Sequence, residues 1–291
     1  MIVSTTGCST QHVAHHYDEL DVFYRDVWGE HVHHGLWQTG REAPHVAAEQ
    51  LIEHLAVAVA LQHGETVVDV GAGYGATARY LARRYDARVT GLTLSAVQHA
   101  HAVRGAHETG LGATQMLHRD WMVNGLADGV ADVVIAIEST EHMLDKAGAF
   151  AEMRRVVRPG GRVGVYAWIA RDDARVWEVQ HLLEPICREG RLAGLGTERD
   201  YVDLLQQSGL TVTRVEDLSA AVQRTWPICL ARVARGLALD PRYRQYMVRA
   251  RNAERVFLRT MPRIWAAYAT GAMRYLLFVA QRAPAPGDAA A

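Results

Sequence analysis

The chain has 291 residues, of which 49% are hydrophobic and 22% are charged. This composition is typical of a folded globular protein and excludes a largely disordered one. A chain of this length buries enough apolar surface to fold without disulfides or a structural metal. Its 31 Lys and Arg residues are balanced by 32 Asp and Glu residues, so the basic surplus typical of nucleic-acid-binding proteins is absent, and we expect no nucleic-acid partner.

The cysteines and the apolar segments indicate a compartment. Cys8, Cys187 and Cys229 lie far apart and form no CxxC or other metal-binding spacing. Residues 1–11 lack the basic and apolar regions of a signal peptide, and apolar runs such as 133–137 are too short to cross a bilayer. We therefore expect a reduced, cytoplasmic protein without a membrane span.

Strand and helix patterns alternate through the middle of the chain. Short β-branched or apolar runs predict strands at 66–70, 88–94, 115–117, 131–137 and 162–169. Apolar residues at helical spacing predict helices over 76–85, from Ala96 onward with Ser95 as its N-cap, and over 147–157 before the Pro-Gly-Gly turn at 159–161. Strands separated by helices of this length predict βαβ units and a parallel sheet.

The two ends of the chain have a different pattern. Residues 1–45 show no strand and are rich in His, Tyr and Trp. We expect an α/β fold, a Rossmann-like doubly wound seven-stranded sheet with a helical N-terminal segment and a helical cap insertion. The predicted organisation is a helical cap segment at 1–45, a core at 46–170, a helical cap at 171–209, the last two strands with a helical insertion at 210–282, and a disordered tail at 283–291.

A glycine loop follows the first core strand. The string Asp69-Val70-Gly71-Ala72-Gly73-Tyr74-Gly75 lies between a predicted strand and a predicted helix, where glycines allow the backbone to turn sharply and approach a ligand. With Ala76 it also satisfies the G-x-G-x-x-G/A pattern of dinucleotide-binding proteins, so an NAD-dependent oxidoreductase is one interpretation.

Three features favour a different nucleotide ligand. The position where dinucleotide sites hold a ribose-binding acid contains Thr93. Asp69, two residues before the first glycine, suits a cationic amino-acid group better than an anionic pyrophosphate. Asp120 and Trp121 follow the third strand, where a carboxylate and an indole together can bind adenine. The alternative for Asp69 and Asp120 is that they only cap helices or turns.

The sequence resembles the class I S-adenosylmethionine-dependent methyltransferases. The resemblance covers about residues 60–170 and rests on VVDVGAGYG, GLTLSAVQ, HRDW, IESTEHM and RPGGR, in that order. Residues 16–37 and 138–146 are also similar to tocopherol C-methyltransferases, and GLTLSAVQ is similar to the sterol C-methyltransferase and cyclopropane-fatty-acid synthase branch. The resemblance implies S-adenosyl-L-methionine as the cofactor.

The resemblance also assigns site residues. The methionine part and ribose would face Asp69, Gly71, Gly73 and Gly75; Thr93 and Gln98 would lie beside the ribose, where other members use an acid; Asp120 and Trp121 would hold adenine. Glu138 would border the methionine end. Tyr17 and the His33-His34-Gly35 turn would close over the sulfonium, which makes Tyr17 and His34 candidate cofactor-binding residues and His33 a candidate catalytic residue.

Further candidate catalytic residues follow the fourth core strand. Glu138, Glu141 and His142 lie at the carboxyl end of the sheet, where open α/β sheets bind ligands, and a histidine titrates near neutral pH. These groups could accept a proton from a methyl acceptor. The alternative is that Glu141 and His142 cap the next helix or pair with Arg154.

The histidine-rich segments raise the question of a metal. His31, His33 and His34 are close in sequence, and so are His99 and His101. No acid or cysteine completes a known ligand pattern, so we predict no metal site.

The aromatic residues outside the sheet indicate the kind of acceptor. If some of them line a pocket, the substrate is largely apolar, and their faces would stabilise a carbocation formed by methylating an alkene. The set comprises Trp28, Trp37, Trp168, Trp177, Trp226, Phe257, Trp265 and Tyr268. The alternative is ordinary helix packing.

The sequence thus predicts a small-molecule methyltransferase of specialised metabolism. It would act on carbon of an apolar prenyl, phenolic or indolic acceptor and could form a homo-oligomer. O- or N-methylation, a non-transfer step such as cyclisation, an NAD-dependent oxidoreductase and a binding protein without turnover remain alternatives.

Overall fold

The computed structural model describes residues 1–3, 9–249 and 256–285. Cys8 and most of the tail predicted at 283–291 lie outside the described residues. The helices are α1 (Thr10–Glu19), α2 (Asp21–Trp28), α3 (Pro44–Ala58), α4 (Ala76–Tyr85), α5 (Ala96–Glu108), α6 (Lys146–Val156), α7 (Val176–Glu178), α8 (Glu184–Glu189), α9 (Glu198–Gln207), α10 (Ser219–Val222), α11 (Thr225–Leu239), α12 (Pro241–Arg249) and α13 (Val256–Ala269). The strands are β1 (Ile2–Val3), β2 (Thr66–Val70), β3 (Arg88–Thr93), β4 (Thr114–His118), β5 (Ala131–Ile137), β6 (Val157–Ala170), β7 (Gly194–Leu195), β8 (Leu210–Asp217) and β9 (Met273–Arg282).

The core of the molecule is a seven-stranded sheet in the order β4-β3-β2-β5-β6-β9-β8. Strands β2 to β6 are parallel, whereas β9 is antiparallel to both β6 and β8. From β2 the chain first moves outward to β3 and β4, and then returns to β5 on the other side of β2. The predicted doubly wound α/β fold is confirmed, and the direction of winding reverses between β2 and β5, where such sheets bind ligands.

Local sequence explains the strands and helices around the point where the winding direction reverses. β5 is buried on both faces, as its unbroken apolar sequence predicts for a central parallel strand. The hydroxyl of Ser95 accepts the backbone N–H of Gln98, so the predicted N-cap of α5 is confirmed. Strand β6 begins at Val157, earlier than predicted, because the Pro-Gly-Gly turn forms an irregularity within the strand and not a loop before it.

The expectation that residues 1–45 contain no strand is wrong. Ile2 and Val3 of β1 pair antiparallel with Leu195 and Gly194 of β7, which forms a second, two-stranded sheet. A strand of two residues is too short to show an alternating pattern, so the sequence carried no signal for it. A Cβ atom at Gly194 would lie 2.7 Å from the carbonyl oxygen of Ile2, which shows that this pairing depends on glycine.

Helices from both ends of the chain cover the sheet near the reversal point. α1 packs on α5 and α2, while α11 packs on α2, α12 and α13. In the part of the chain that the structure describes, no helix has the length and apolar character needed to cross a membrane. The predicted segment boundaries, the cytoplasmic location and the homo-oligomer stay predictions.

Candidate functional site

The glycine loop connects β2 to α4 at the reversal point. Gly71, Gly73 and Gly75 all have positive φ, at +81°, +53° and +70°, a region that side chains rarely adopt. A Cβ atom at Gly71 would lie 2.4 Å from the Cβ of Ser139, in the segment after β5. The hydroxyl of Ser139 donates a hydrogen bond of 2.6 Å to the carbonyl of Val70. The loop is therefore held tightly against the residues that follow β5.

We expect Gly71→Ala to lower the free energy of unfolding by about 3 kcal/mol, because the substitution combines a left-handed backbone with a steric clash. Gly64→Ala is a matched control, since Gly64 has φ +76° and no atom within 4 Å of its Cβ position. That control should cost only about 1 kcal/mol. Urea denaturation of both variants checks the difference, and equal losses would show that Ser139 does not constrain the loop.

A cavity of about 240 Å³ lies over the glycine loop, and we call it the loop cavity. It contains most of the residues predicted to bind a cofactor: Tyr17, Gly71, Gly73, Thr93, Gln98, Asp120, Trp121 and Glu138, together with His142. Gly75 does not line it; its Cβ position is 3.1 Å from Ala102 and 3.3 Å from Met116, so this glycine leaves room for those two side chains.

Helix α1 forms the roof of the loop cavity. Thr10, Val13 and Tyr17 lie on one face of the helix and line the cavity. The carboxylate of Asp18 accepts hydrogen bonds from the Ser95 hydroxyl at 2.5 Å and from the Val97 backbone N–H at 3.2 Å. These bonds attach the roof to the N-terminus of α5.

A smaller cavity beside the glycine loop is lined by residues with three buried atoms that lack a hydrogen-bond partner among the described residues, Asp69 Oδ2, His33 Nε2 and His31 Nδ1, and we call it the Asp69 niche. The side chain of Asp69 is 2% exposed, and burial raises its pKa to about 7. The Nδ1 atom of His33 lies 2.7 Å from the carbonyl oxygen of His34, so Nδ1 carries the hydrogen and Nε2 keeps a lone pair. Asp69 Oδ2 and His33 Nε2 have no hydrogen-bond partner among the described residues.

This pair of acceptors fits a cationic ligand group. A buried carboxylate oxygen and a buried imidazole lone pair are costly when they have no donor. A primary ammonium group supplies three N–H donors and a positive charge. The niche therefore fits the amino-acid end of S-adenosylmethionine. His33 lines this niche together with Asp69.

A third cavity, of about 80 Å³, lies against the loop cavity, and we call it the aromatic cavity. Its wall includes five Tyr and Trp side chains: Tyr17, Tyr24, Trp28, Trp168 and Trp226. Both cavities are lined by Tyr17, Val32, Glu138 and His142. These four residues mark the boundary where a group could pass from one cavity to the other.

Glu138 stands at this boundary with its carboxylate fully engaged. Its Oε1 accepts hydrogen bonds from the backbone N–H and the Nδ1–H of His34 and from the hydroxyl of Tyr275, and its Oε2 accepts from the indole of Trp168. Burial opposes ionisation, but the hydrogen bonds that His34 donates outweigh it and lower the pKa of Glu138. Glu138 is therefore a fixed anion with a strained backbone, at φ +52°.

His34 lies behind Glu138 and lines none of the three cavities. Its Nε2 atom lies 2.8 Å from the indole nitrogen of Trp226, and an indole N–H can only donate. The hydrogen of His34 is consequently on Nδ1, 2.9 Å from Glu138. The structure thus makes His34 a positioning residue for Glu138, although the sequence predicted that it would contact the cofactor.

His142 is held between two groups at the boundary. Its Nδ1 lies 3.0 Å from the carbonyl oxygen of Arg191 and its Nε2 lies 3.0 Å from the hydroxyl of Tyr17. Because the carbonyl can only accept, Nδ1 carries the hydrogen and Nε2 accepts from Tyr17. Burial lowers the pKa of His142 to about 4.

Glu141 lines the aromatic cavity only. Its side chain is 1% exposed, and its Oε1 accepts the backbone N–H of Trp168 at 2.5 Å. Burial raises the pKa of Glu141 to about 7. Neither Glu141 nor His142 pairs with Arg154 among the hydrogen bonds and ion pairs that the structure describes.

The residues predicted to hold adenine and ribose have structural roles as well. Asp120 caps the turn that follows β4 by accepting the N–H of Met122, and Trp121 donates its indole N–H to the carbonyl of Ala149. Thr93 donates its hydroxyl to Gln98 Oε1 at 2.9 Å. All four predicted side chains still line the loop cavity, so the capping role of Asp120 is compatible with adenine binding, which stays a prediction.

The sequence interpretation missed several residues at the boundary. Val32 carries no chemical signal, and Tyr275 and the carbonyl of Arg191 reach the site from distant parts of the chain.

Of the aromatic residues, Trp28, Trp168 and Trp226 line the aromatic cavity, whereas Trp177 and Trp265 are exposed. Trp37 donates its indole N–H to the hydroxyl of Thr225, Tyr268 is buried, and the side chain of Phe257 is not among those that the structure describes. No group of three or more His, Cys, Asp or Glu side chains suited to a metal occurs within the described ranges.

Known proteins are similar to this chain in sequence and in fold. Residues 5–268 match the family model for mycolic acid cyclopropane synthetase. The chain is 30% identical to the chloroplastic tocopherol O-methyltransferase of Arabidopsis thaliana, over 96% of this chain and 84% of that protein. It is 32% identical to the sterol 24-C-methyltransferase of Yarrowia lipolytica, over 71% of this chain and 55% of that protein. The crystal structure of the [4+2]-cyclase SpnF matches with a TM-score of 0.81 and 25% identity, over 98% of this chain and all of that one (100%).

The sheet, the glycine loop and these relatives define an S-adenosylmethionine-dependent methyltransferase. This conclusion confirms the predicted class, enzyme type and cofactor, and it decides against the NAD-dependent alternative. Within that class, the chain belongs to the mycolic acid cyclopropane synthetase family. The relatives are named for transfer to oxygen, transfer to carbon and cyclisation, so their names do not select one chemistry.

Proposed function

We propose that this methyltransferase transfers a methyl group to a carbon atom of an apolar prenyl, phenolic or indolic small molecule of specialised metabolism. The observation that carries this proposal is that the two proton acceptors at the boundary between the cavities, Glu138 and His142, are weak bases. Both have pKa values below their ordinary ranges, and both are already hydrogen-bonded.

Weak bases favour carbon over oxygen or nitrogen as the methyl acceptor. A hydroxyl or ammonium group must lose its proton before or during attack, which requires a base near its own pKa. An electron-rich carbon attacks first, and the methylated cation that results is a strong acid. A neutral His142 is sufficient to take a proton from such a cation.

The path of that proton follows from the tautomer of His142. The hydroxyl of Tyr17 donates to His142 Nε2, and Tyr17 lines both cavities. The acceptor cation would release a proton to the Tyr17 oxygen as the Tyr17 hydroxyl proton passes to Nε2. His142 would then be an imidazolium whose Nδ1–H remains bonded to the carbonyl of Arg191.

The walls of the aromatic cavity suit an acceptor that becomes positive. The faces of Trp28, Trp168 and Trp226 attract cations, and the fixed anion of Glu138 lies at the same boundary. A phenolate, the form that O-methylation needs, would be repelled by Glu138.

The cofactor sites that we propose use the residues of the loop cavity and the niche. When bound, S-adenosylmethionine supplies an electrophilic methyl group on a positively charged sulfur. Asp69 and the glycine loop would bind its amino-acid end, Thr93 and Gln98 the ribose, and Asp120 and Trp121 the adenine. Enclosing walls align the reactants and exclude water, which supplies several kcal/mol of the rate enhancement.

Glu141 supports a second candidate function. Its pKa near 7 makes it a stronger base than His142, and it lines the aromatic cavity. O- or N-methylation of a natural product would use Glu141 to remove the proton.

Product analysis decides between the two candidates. We expect incubation with S-adenosylmethionine carrying a ¹³C-methyl label and a panel of prenylated phenols, indoles and terpenoid alkenes to give products whose labelled methyl is bonded to carbon, as seen by NMR. Exclusive labelling of oxygen or nitrogen would contradict the first candidate and favour the second. Cyclised product without label would indicate a non-transfer reaction.

Removal of one hydroxyl tests the proton path. We expect Tyr17→Phe to lower kcat by about 100-fold, because the connection to His142 is lost, while the affinity for S-adenosylhomocysteine stays within about threefold. Tyr24→Phe is the control, since Tyr24 lines the aromatic cavity but its hydroxyl bonds to His16. An unchanged kcat in Tyr17→Phe would exclude the path.

A further inference from the structure

A large groove, of about 900 Å³, adjoins the site but has no part in the reaction described above. It lies between the end of α2, α3, α4 and α11, and we call it the arginine groove. It shares Trp28 with the aromatic cavity, and Glu30, His31 and Ala76 with the Asp69 niche. The groove therefore adjoins both functional cavities.

Three guanidinium groups of the groove have no carboxylate partner among the described residues. Arg83 on α4 and Arg235 on α11 are exposed, and the described contacts give neither of them a hydrogen bond or an ion pair. Arg232, one turn before Arg235, donates only to the backbone carbonyl of Val27, at 2.5 Å. Helices α4 and α11 thus both place guanidinium groups without a carboxylate partner on the lining of the groove.

The acidic groups of the groove do not balance these charges. Most of the lining carboxylates are already bonded to other arginines: Asp26 and Asp240 to Arg242, and Glu30 to Arg79. Arg25 is likewise paired with Asp21. Glu49 is the one lining carboxylate without a basic partner in the described part of the chain. Because Arg242 is shared by Asp26 and Asp240, the six arginines in and beside the groove exceed its five carboxylates by one, which is a small local surplus of positive charge.

The aromatic cavity is too small to enclose a whole acceptor. Its volume of about 80 Å³ is well below the roughly 300 Å³ at which pockets for drug-sized ligands begin. An acceptor with a prenyl or indolic body must extend beyond this cavity, and the arginine groove begins at its Trp28 wall.

We propose that the methyl acceptor carries an anionic end group, a phosphate, diphosphate or carboxylate, that lies in the arginine groove while its apolar part occupies the aromatic cavity. Arg83, Arg232 and Arg235 bind the anion, since guanidinium groups match the geometry of phosphate and carboxylate oxygens. The apolar part of this statement rests on the proposed function. The anionic part rests on the groove alone.

The first test measures anion binding with inorganic pyrophosphate as the probe. Calorimetry should show that the double variant Arg83→Ala/Arg235→Ala binds pyrophosphate about tenfold more weakly than the unchanged protein. Both side chains are exposed and without described hydrogen bonds, so the variant keeps its fold. Arg104→Ala, at another exposed arginine, is the control and should bind normally. Absence of binding, or an equal loss in the control, would overturn the proposal.

The second test asks whether the groove and the aromatic cavity bind one molecule. Quenching of tryptophan fluorescence should show decyl phosphate binding about tenfold more tightly than decyl alcohol, and Arg83→Ala/Arg235→Ala should remove this preference. If the decyl chain adds nothing to the affinity of the phosphate, the groove is an independent anion site and the proposal is wrong. Neither measurement depends on which atom is methylated, so failure here is separate from failure of carbon methylation.

Discussion

Replacement of Asp69 by asparagine should weaken the binding of S-adenosylhomocysteine by about 100-fold, which corresponds to about 2.7 kcal/mol. The substitution preserves shape but removes the charge that would pair with the ligand's ammonium group. Because the carboxylate is buried and Oδ2 has no partner, the same substitution should stabilise the ligand-free protein by about 2 kcal/mol at pH 8.

Calorimetry measures the expected loss of affinity, and thermal denaturation measures the expected gain in stability. Asp172→Asn, at an exposed aspartate, should change neither quantity. Unchanged affinity in Asp69→Asn would show that the ammonium group binds elsewhere, and a fall in melting temperature would show that the carboxylate has an undetected partner.

The raised pKa of Asp69 also predicts a dependence on pH. Burial moves this pKa from 3.8 to about 7, so between these values the folded state holds a proton that the unfolded state has lost. The contribution of Asp69 to stability therefore declines as pH rises from about 4 to 7. Ligand binding shows the reverse trend, since the ammonium group needs the ionised carboxylate.

We expect the affinity for S-adenosylhomocysteine to fall by up to about tenfold between pH 7 and pH 6. His33, His31, Glu30 and Tyr74 also line the niche, so the comparison must include Asp69→Asn. The pH dependence should disappear in that variant. A pH dependence that persists in Asp69→Asn would arise from one of these neighbouring groups.

Replacement of Glu138 by glutamine should cost about 3 kcal/mol of folding free energy. Two groups of His34, the hydroxyl of Tyr275 and the indole of Trp168 all donate to this carboxylate. The amide nitrogen of glutamine would direct its own hydrogens at one or more of these donors, and buried donors would be left without acceptors.

Tyr275→Phe is the graded control for this network, because it removes one donor and leaves the anion in place. It should cost about 1 kcal/mol, as the loss of a single hydrogen bond does. The midpoints of urea denaturation measure both variants. Similar midpoints for Glu138→Gln and the unchanged protein would show that the four hydrogen bonds do not act together.

Much of the fold could be predicted from periodicity. The helical spacing of α4 and the unbroken apolar run of β5 are local signals, and the structure places both elements within a residue of their predicted bounds. β1 and β7 could not be found, because two residues define no period and their pairing spans most of the chain. The turn within β6 could not be predicted either, because a Pro-Gly-Gly sequence normally indicates a loop.

The donor side of the site was more predictable than the acceptor side. The glycine loop and Asp69 are close together in sequence and carry a recognisable pattern. The acceptor side instead combines Trp28, Trp168 and Trp226 with Tyr275, from four separate segments. Composition identified aromatic residues as important, but which of them face the cavity depends on how α2 and α11 pack, and that is a tertiary property.

The attachment of α1 has a consequence for the kinetics of the enzyme. The roof of the loop cavity is one short helix, held to α5 through the carboxylate of Asp18. Local opening of such a helix costs far less than unfolding the sheet beneath it. The rate at which α1 opens should therefore set the residence time of S-adenosylhomocysteine, while the sheet keeps the same structure between turnovers.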